Sequence, residues 1–197
     1  MPVTLAREAV FTVIDFETTG SVRGWPVEPW QIGMVRMRGG RVVPEETFDA
    51  YLRVAPDRPF NPRAPGRHAV LRDTLAASPS AQELWPELAP WFRVNAVVAH
   101  NIGTERSQLA AIAPMHRIGP WIDTLTLVRK CFPQLASKAL GDTLASFGLT
   151  PRVDALCPGR TVHDALYDAV GCAVLLESFL AFPGWERLAL ENLVTNR

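Results

Sequence analysis

Two carboxylates, Asp15 and Glu17, stand two residues apart at the end of an apolar run, within FTVIDFETTG at residues 11–20. On a β-strand this spacing directs both side chains to the same face. The apolar run is typical of a strand buried on both sides. Two buried like charges are costly unless a cation lies between them, and Mg²⁺ and Mn²⁺ prefer such oxygen ligands. The pattern predicts a metal-dependent enzyme acting on phosphate esters; the alternative is a helix cap beside a solvated charge.

A second polar group follows the short apolar run at residues 96–99. His100 and Asn101 come directly after this run, and Glu105 stands at the start of the helix predicted next. Strand ends in α/β sheets are where binding sites form, so these side chains are candidates for the same site. The alternative for Glu105 is an acid that only favours the positive end of the helix dipole.

The third group is His163 and Asp168, within TVHDALYDA at residues 161–169. Five residues of helix rotate by about 500°, so the two side chains cannot share one helical face. We therefore expect His163 at or before the helix start, where a general base could approach a water molecule. Asp168 adjoins an apolar stripe, and an ionised Asp is rarely buried unpaired. Asp164 is interpreted as a capping-box partner of Thr161, and a surface histidine is the alternative for His163.

Composition limits the class of protein. The chain has 197 residues and a formal net charge of zero, which argues against a non-specific binder of long duplexes. Its three cysteines have no metal-binding spacing, which predicts reduced thiols and a cytoplasmic location. The start of the chain does not resemble a signal peptide, and the apolar run at residues 169–182 is too short to span a membrane. One domain over residues 1–197 is expected.

The order of the predicted elements indicates an α/β domain, because a strand meander is followed by alternating strands and helices. Strands are predicted at residues 10–15, 31–38, 96–99 and 121–123, and residues 42–43 and 47–54 are expected to form the returning strand or strands after the turn at 39–40. Helices are predicted at residues 80–92, 104–112, 124–131, 137–147, 163–181 and 184–193. In the helix at 80–92, Ser80 is the expected N-cap and Glu83 completes a capping box.

A proline-rich loop is predicted at residues 55–67. In and after it lie four arginines, Arg58, Arg63, Arg67 and Arg72. A solvated loop is the favoured interpretation of these charges, and steering of a phosphate backbone is the alternative. Trp25 and Trp30 follow the first motif, so either is a candidate for the neighbourhood of a substrate cleft.

The three groups together resemble the motifs of the DEDDh 3′–5′ exonucleases, and most closely the epsilon-like proofreading exonucleases of bacterial DNA polymerase III. The matching segments are DFETTG at 15–20, VAHN at 98–101 and HDALYD at 163–168. Secondary matches are QIG at 31–33 and IDT at 122–124. The resemblance covers residues from about 10 to 182. It implies a ribonuclease H-like fold, with a five-stranded mixed β-sheet flanked by α-helices.

The resemblance also implies a role for each matching residue. Two divalent ions, Mg²⁺ or Mn²⁺, are expected, with Asp15, Glu17 and Asp168 holding the first and Asp15 also touching the second. Glu105 would act around the second ion, and His163 would be the general base. Residues implied in substrate binding are Thr18 and Thr19, partly through backbone N–H groups, together with His100 and Asn101.

Glu105 departs from the family pattern, which has Asp at this position, and Thr104 stands where relatives tend to carry an aromatic residue. Glu keeps the charge but adds one methylene, whereas sites of this kind tolerate displacements of only about 0.5 Å. We therefore hypothesise a retained but altered activity with a stronger preference for Mn²⁺.

The predicted function is hydrolysis of single-stranded DNA from its 3′ end, with release of nucleoside 5′-monophosphates. An RNA-directed exoribonuclease of the same superfamily is one alternative, since the sequence holds no visible contact to a 2′-hydroxyl. A nucleic-acid-binding module with catalysis weakened by Glu105 is the other. Nucleic acid is the expected partner, no membrane partner is expected, and a polymerase partner is left open.

Overall fold

A mixed five-stranded sheet forms the centre of the computed structural model, which describes residues 3–195. The strands are β1 Phe11–Thr18, β2 Pro29–Arg38, β3 Arg41–Tyr51, β4 Ala96–Ala99 and β5 Trp121–Asp123. Their order across the sheet is β3-β2-β1-β4-β5. β2 is antiparallel to both β1 and β3, whereas β4 runs parallel to β1 and β5 runs parallel to β4. The predicted α/β class, opening meander and five-stranded mixed sheet are thus confirmed.

Helices lie on both faces of the sheet. Their bounds are α1 Arg72–Ala77, α2 Trp85–Leu88, α3 Gly103–Ile112, α4 Thr124–Cys131, α5 Leu140–Ser146, α6 Thr150–Leu156 and α7 Ala165–Leu180. Short 3₁₀ turns occur at Ala6–Glu8, His68–Val70, Ala89–Phe92 and Leu190–Asn192. The predictions for α3, α4 and α7 are confirmed to within two residues. Within residues 3–195, no helix is long and apolar enough to cross a membrane.

The prediction of one helix at residues 80–92 is wrong, although its cap is present. The Ser80 N–H donates to the Glu83 carboxylate (2.7 Å), and the Glu83 N–H donates to the Ser80 hydroxyl (3.2 Å). Beyond this box the chain forms a turn, then only the single turn of α2, and then a 3₁₀ turn. Pro86 and Pro90 explain the break, because proline has no N–H to donate to the preceding helical turn.

Near the end of the chain the structure differs from the predicted elements at three places. The helix expected at 137–147 begins only at Leu140, and α6 is missed altogether, although its Thr-Pro start is a known signal for a first helical turn. The helix expected at 184–193 is reduced to a 3₁₀ turn. This segment instead bonds to the start of the chain, because Ala6 N–H donates to Leu188 O (2.8 Å).

Two apolar layers fix the helices against the sheet. α7 packs with odd-numbered residues of β1 such as Val13, while α3 packs on the opposite face with even-numbered residues such as Ile14. α7 begins in direct contact with Gly33 on β2, where a Cβ would lie 2.2 Å from the Ala165 carbonyl carbon. The absence of a side chain at Gly33 therefore lets the first turn of α7 reach the sheet beside the end of β1.

Candidate active site

A cleft of about 280 Å³ opens at the carboxyl end of β1. Its lining residues are Asp15, Phe16, Glu17, Thr18, Gly20, Ala64, Pro65, His100, Asn101, Thr104, Glu105, His163 and Asp168. Every side chain predicted from the sequence to belong to the site is among them except Thr19. The convergence follows from the topology, since the carboxyl ends of the parallel strands β1 and β4 meet at this edge and α7 begins beside it.

Three potential metal ligands are close together on the α7 side of the cleft. One donor atom each of Glu17, His163 and Asp168 lies within 4.8 Å of the others. Asp168 stands in the first turn of α7, and one of its carboxylate oxygens accepts the backbone N–H of His163 (3.1 Å). His163 is exposed, has a positive φ of 67°, and precedes the helix, as its spacing from Asp168 predicted.

The interpretation of Asp164 as a partner of Thr161 is wrong, because Asp164 is itself the N-cap of α7. One of its carboxylate oxygens accepts the N–H groups of Leu166 and Tyr167 (3.1 and 3.2 Å). Arg160 donates to both oxygens of the same carboxylate (2.8 and 3.0 Å). Both ends of this short segment are therefore fixed, and His163 lies between them.

Gln31 on β2 ties the start of α7 to the sheet, a role that only the secondary match at residues 31–33 hinted at. Its amide nitrogen donates to Asp164 (3.2 Å), and its amide oxygen accepts the N–H of Ala165 (3.3 Å). Because Gln31 pairs with Glu17 across the sheet, this contact also holds Asp168 in register with the first motif.

Glu105 enters the cleft from the first turn of α3 and is only 3% exposed. Among residues 3–195 its Oε2 atom has no hydrogen-bond partner. Burial raises the pKa of Glu105 to about 8, against the opposing effect of N–H groups of its own backbone and of Phe16. Asp15 adjoins Glu105, and burial followed by the charges of Glu105, Asp168 and Glu17 raises the pKa of Asp15 well above its usual value.

The other two carboxylates are perturbed in the same direction. Burial, and then the charges of Asp168 and Asp164, raise the pKa of Glu17 to about 8. Burial raises the pKa of Asp168 to about 6, with the hydrogen bond from the His163 backbone opposing it. A cluster of this kind is unfavourable when fully ionised without a cation.

These donors fit a hard divalent cation. The cluster offers carboxylate oxygens, the ligands that Mg²⁺ and Mn²⁺ prefer, and the buried unpartnered oxygen of Glu105 points to a missing positive group. Within the described residues, the group of close donors contains Glu17, His163 and Asp168 but not Asp15. Asp15 lies outside this group, and Glu105 is the neighbouring charge that raises the pKa of Asp15 most.

Thr19 does not line the cleft, contrary to the expectation that it contacts substrate. It is fully buried, and its N–H donates to the Glu28 carbonyl (2.8 Å). Its hydroxyl accepts the Glu28 N–H (3.1 Å) and a guanidinium N–H of Arg58 (3.0 Å). Thr19 thus closes the loop after β1, while Thr18 and Gly20 face the cleft.

Arg58 corrects the interpretation of residues 55–67 as a merely solvated loop, because its side chain is only 1% exposed. Besides Thr19, its guanidinium donates to the carbonyls of Pro26 and Pro59 and lies 5.1 Å from the centre of the Trp25 ring. The buried cation joins the proline-rich loop to the loop after β1. No local sequence pattern marks an isolated arginine for this role.

The two tryptophans after the first motif have different environments. Trp30 is 1% exposed and its indole N–H donates to the Thr18 carbonyl (3.1 Å), so it holds the backbone of a residue that lines the cleft. Trp25 is 44% exposed and covers Arg58 instead.

His100 and Asn101 shape the turn between β4 and α3. Both ring nitrogens of His100 are engaged, one with the Thr124 hydroxyl (2.9 Å) and one with the Lys138 carbonyl (2.8 Å). Burial lowers the pKa of His100, which favours the neutral ring. Asn101 has a positive φ of 75°, and its N–H donates to Asp123 (2.9 Å). His100 and Asp123, the latter from the secondary match at 122–124, therefore hold this wall of the cleft.

A mixed sheet that gathers acidic side chains at the end of its central strand is the architecture of ribonuclease H-like nucleases. The chain belongs to the exonuclease family RNase T, whose model matches residues 12–176. It is 30% identical over 191 residues to the DNA polymerase III subunit epsilon of Escherichia coli K12, a match that covers 87% of this chain and 70% of that protein.

Two further comparisons agree with this assignment. The PolC-type DNA polymerase III of Thermotoga maritima is 28% identical over 148 residues, which cover 73% of this chain but only 10% of that much longer protein. The solved structure of exonuclease X with 5′-overhanging duplex DNA superposes with a TM-score of 0.68 and 26% identity, covering 91% of this chain and 97% of the other. The predicted membership of the DEDDh exonucleases, with an epsilon-like sequence, is confirmed. The protein is a nuclease of a family that depends on divalent metal ions.

Proposed function

We propose that this protein is a 3′–5′ exonuclease that removes nucleotides from single-stranded DNA ends and releases nucleoside 5′-monophosphates. The observation that carries the proposal is the convergence of four acidic side chains and one exposed histidine in a single cleft. These residues are Asp15, Glu17, Glu105, Asp168 and His163. One continuous exonuclease domain and a cytoplasmic location are parts of the same proposal.

Two divalent ions, Mg²⁺ or Mn²⁺, would balance the four negative charges. Glu17 and Asp168 would hold the first, Glu105 would act at the second, and Asp15 would serve both. Bound ions would lower the pKa of the attacking water and stabilise the departing 3′-oxygen. The pKa values of all four carboxylates are raised, as expected for a cluster of acids whose charges are not balanced by a cation, and this supports the assignment.

His163 is the group we assign to proton removal from the attacking water. Its side chain is exposed, and one ring nitrogen lies within 4.8 Å of donor atoms of Glu17 and Asp168. The hydrogen bond from its backbone N–H to Asp168 fixes the backbone of His163 and does not involve the ring nitrogens. A general base must reach the proton that it accepts, and this placement satisfies that requirement.

The dimensions of the cleft support attack at a chain end. At about 280 Å³ it is close to the lower limit of ligand pockets and suits one terminal nucleotide. Thr18 and Asn101 line it and are assigned to substrate contact, while Ala64 and Pro65 offer an apolar wall for a base. His100 and Thr19 are assigned to positioning, because their polar groups are engaged within the protein.

DNA is favoured over RNA because the related exonuclease X structure was solved with DNA at 26% identity. An RNA-directed activity remains the alternative substrate class, and the 2′-hydroxyl would decide it. Association with a polymerase is a separate proposal, supported only by the names of the two relatives.

The test is a gel assay on single-stranded DNA and RNA labelled at either end, with Mg²⁺, Mn²⁺ or EDTA. We expect metal-dependent shortening from the 3′ end of DNA, lost in Asp15→Ala and kept in the matched control Asp57→Ala, an exposed loop residue. Binding without cleavage in either metal would overturn the proposal and favour the binding module. If RNA were shortened faster than DNA, RNA would be assigned as the substrate instead.

A further inference from the structure

A groove of about 640 Å³ runs along the outer side of α3, next to the catalytic cleft. We name it the α3 groove, and its principal lining residues are Gly103, Arg106, Ser107, His116, Arg117 and Trp121. Its lining runs from the start of α3, a helix of ten residues about 15 Å long, to the beginning of β5.

The charge of the α3 groove is opposite to that of the cleft. Arg106, Arg117 and His116 line it, and none of the described residues that line it is acidic. The cavity on the other side of the cleft, bounded by His163, contains Asp49 and Asp164, which both pair with Arg160. In a chain of zero net charge, a groove with cationic walls is a local site for phosphate groups.

The α3 groove and the cleft adjoin at the first turn of α3. Gly103 lines the groove, whereas the next two residues, Thr104 and Glu105, line the cleft. A Cβ at Gly103 would meet no atom within 4 Å, so there is free space at this boundary through which a strand could pass.

The chemistry of the proposed reaction gives the strand a direction. In an in-line displacement, the attacking water and the departing oxygen lie on opposite sides of the phosphorus. His163 receives the proton of the water and precedes α7, which begins against Gly33 of β2. The α3 groove begins after β4, and β2 and β4 flank β1 on opposite sides. With His163 as the assigned proton acceptor, the departing oxygen and the strand attached to it would lie toward the α3 groove.

We propose that the α3 groove binds the sugar-phosphate backbone of the nucleotides on the 5′ side of the scissile bond, with Arg117 contacting a phosphate. This inference rests on the proposed exonuclease function and extends it to a specific path for the polynucleotide. The reaction remains hydrolysis of one phosphodiester: water adds its oxygen to phosphorus, the bond to the 3′-oxygen breaks, and that oxygen takes a proton.

The experiment compares two substrates that differ in whether they reach the groove. The p-nitrophenyl ester of thymidine 5′-monophosphate fills only the cleft, whereas a ten-nucleotide oligothymidylate extends beyond it. For Arg117→Gln we expect the ratio of kcat/KM for the oligonucleotide to kcat/KM for the ester to fall about three- to tenfold. The matched control is Arg187→Gln, an exposed arginine outside the groove, for which the ratio should stay at the wild-type value.

Binding of the oligonucleotide in EDTA is the second readout, because it does not require catalysis. Loss of one phosphate contact should reduce the slope of log Kd against log salt by about 0.7 for a single strand. If Arg117→Gln changes neither the salt dependence of binding nor the ratio of the two kcat/KM values, the proposal that the α3 groove binds the strand is wrong. If the wild type hydrolyses neither substrate, the proposed function fails, while the salt slope still decides whether the groove binds the strand.

Gly103→Leu tests the passage itself. Leu is a better helix former than Gly by up to about 1 kcal/mol, and space is free around this position, so Tm should not fall. The oligonucleotide-to-ester ratio should nevertheless fall at least tenfold, whereas Ala111→Leu, on the same helix outside the groove, should not change it. If Arg67→Gln, in the cavity beyond His163, lowers the ratio while Arg117→Gln does not, the strand takes the opposite path and the proposal is wrong.

Discussion

The two sides of the cleft at the end of β1 are built differently, although both carry acidic groups. On the α7 side, donor atoms of Glu17, His163 and Asp168 lie within 4.8 Å of each other, and His163 is exposed in a short segment before the helix. On the α3 side, Glu105 is buried inside a helical turn, and one of its oxygens has no hydrogen-bond partner in the described part of the chain. The first side can present a proton acceptor to water, whereas the second can only hold charge in a fixed place.

Asp15 joins the two sides, so removing its charge should have the largest effect. Its pKa responds to Glu105 on one side and to Asp168 and Glu17 on the other. We expect Asp15→Asn to reduce kcat by about 10⁴-fold or more, because several kcal/mol of charge stabilisation are lost at 1.36 kcal/mol per tenfold. Steady-state kinetics at saturating Mn²⁺ measures this loss.

The same substitution should not unfold the protein. Asn keeps the shape of Asp and removes one of several like charges, so Tm in EDTA should stay equal or rise. If Asp15→Asn lost its folded structure together with its activity, the assignment of Asp15 to a charge role on both sides of the cleft would be wrong.

His163→Asn tests the α7 side alone. Loss of a general base costs about 10²–10⁴-fold in kcat, and we expect a value in this range. Asn is chosen because it tolerates the positive φ of 67°, and because the hydrogen bond to Asp168 comes from the backbone and survives the change. A loss below tenfold, with Tm unchanged, would assign the base to another group.

The α7 side and the α3 side could both be predicted in outline because their residues follow regular elements. Asp15 and Glu17 stand near the end of a strand whose apolar run is visible in the sequence, and Glu105 and Asp168 stand in the first turns of helices. Parallel strands then bring these positions to one edge of the sheet, so local patterns together with the family resemblance were sufficient to predict that these residues gather there.

The parts that failed depend on contacts between distant segments. Arg58 is buried by the loop after β1, which lies some thirty residues earlier in the chain, and no local pattern announces such an enclosure. Thr19 carries the same motif signature as Thr18, yet its N–H and hydroxyl bond to Glu28 and Arg58 instead of facing the cleft. A loop that is closed by tertiary hydrogen bonds cannot be separated from a solvated loop by composition alone.

The α3 side can be examined through metal preference. Glu105 is one methylene longer than the Asp usual in the family, and its rigid helical position prevents compensation by the backbone. We expect the wild type to turn over faster in Mn²⁺ than in Mg²⁺, and Glu105→Asp to lower this rate ratio about tenfold. Initial rates with each metal measure this ratio. Equal rates in Mn²⁺ and Mg²⁺ for the wild type, unchanged by Glu105→Asp, would contradict the hypothesis that Glu105 causes a preference for Mn²⁺.

The smallest expected effect is on stability, where both sides act together. The pKa values of Glu17 and Glu105 are raised from 4.5 to about 8, so the folded protein binds protons more tightly than the unfolded chain. Such groups favour folding below pH 4.5, and their contribution is lost as pH rises toward 8. In EDTA we expect Tm to fall by more than about 4 °C between pH 5 and pH 8, since 1 kcal/mol corresponds to about 2–4 °C for a chain of this size.

Single substitutions in EDTA then distinguish the two sides. Glu105→Gln removes a buried charge whose pKa is about 8, whereas Asp168→Asn removes one whose pKa is only about 6 because the His163 backbone stabilises its ionised form. Glu105→Gln should therefore flatten the decline of Tm between pH 6 and pH 8 more than Asp168→Asn does. Thermal melts over this range, repeated with Mg²⁺, measure the difference. A difference is expected because a carboxylate stabilised by a backbone N–H has less repulsion to relieve. Equal flattening of the Tm decline by both variants would mean that the two sides hold their charges alike.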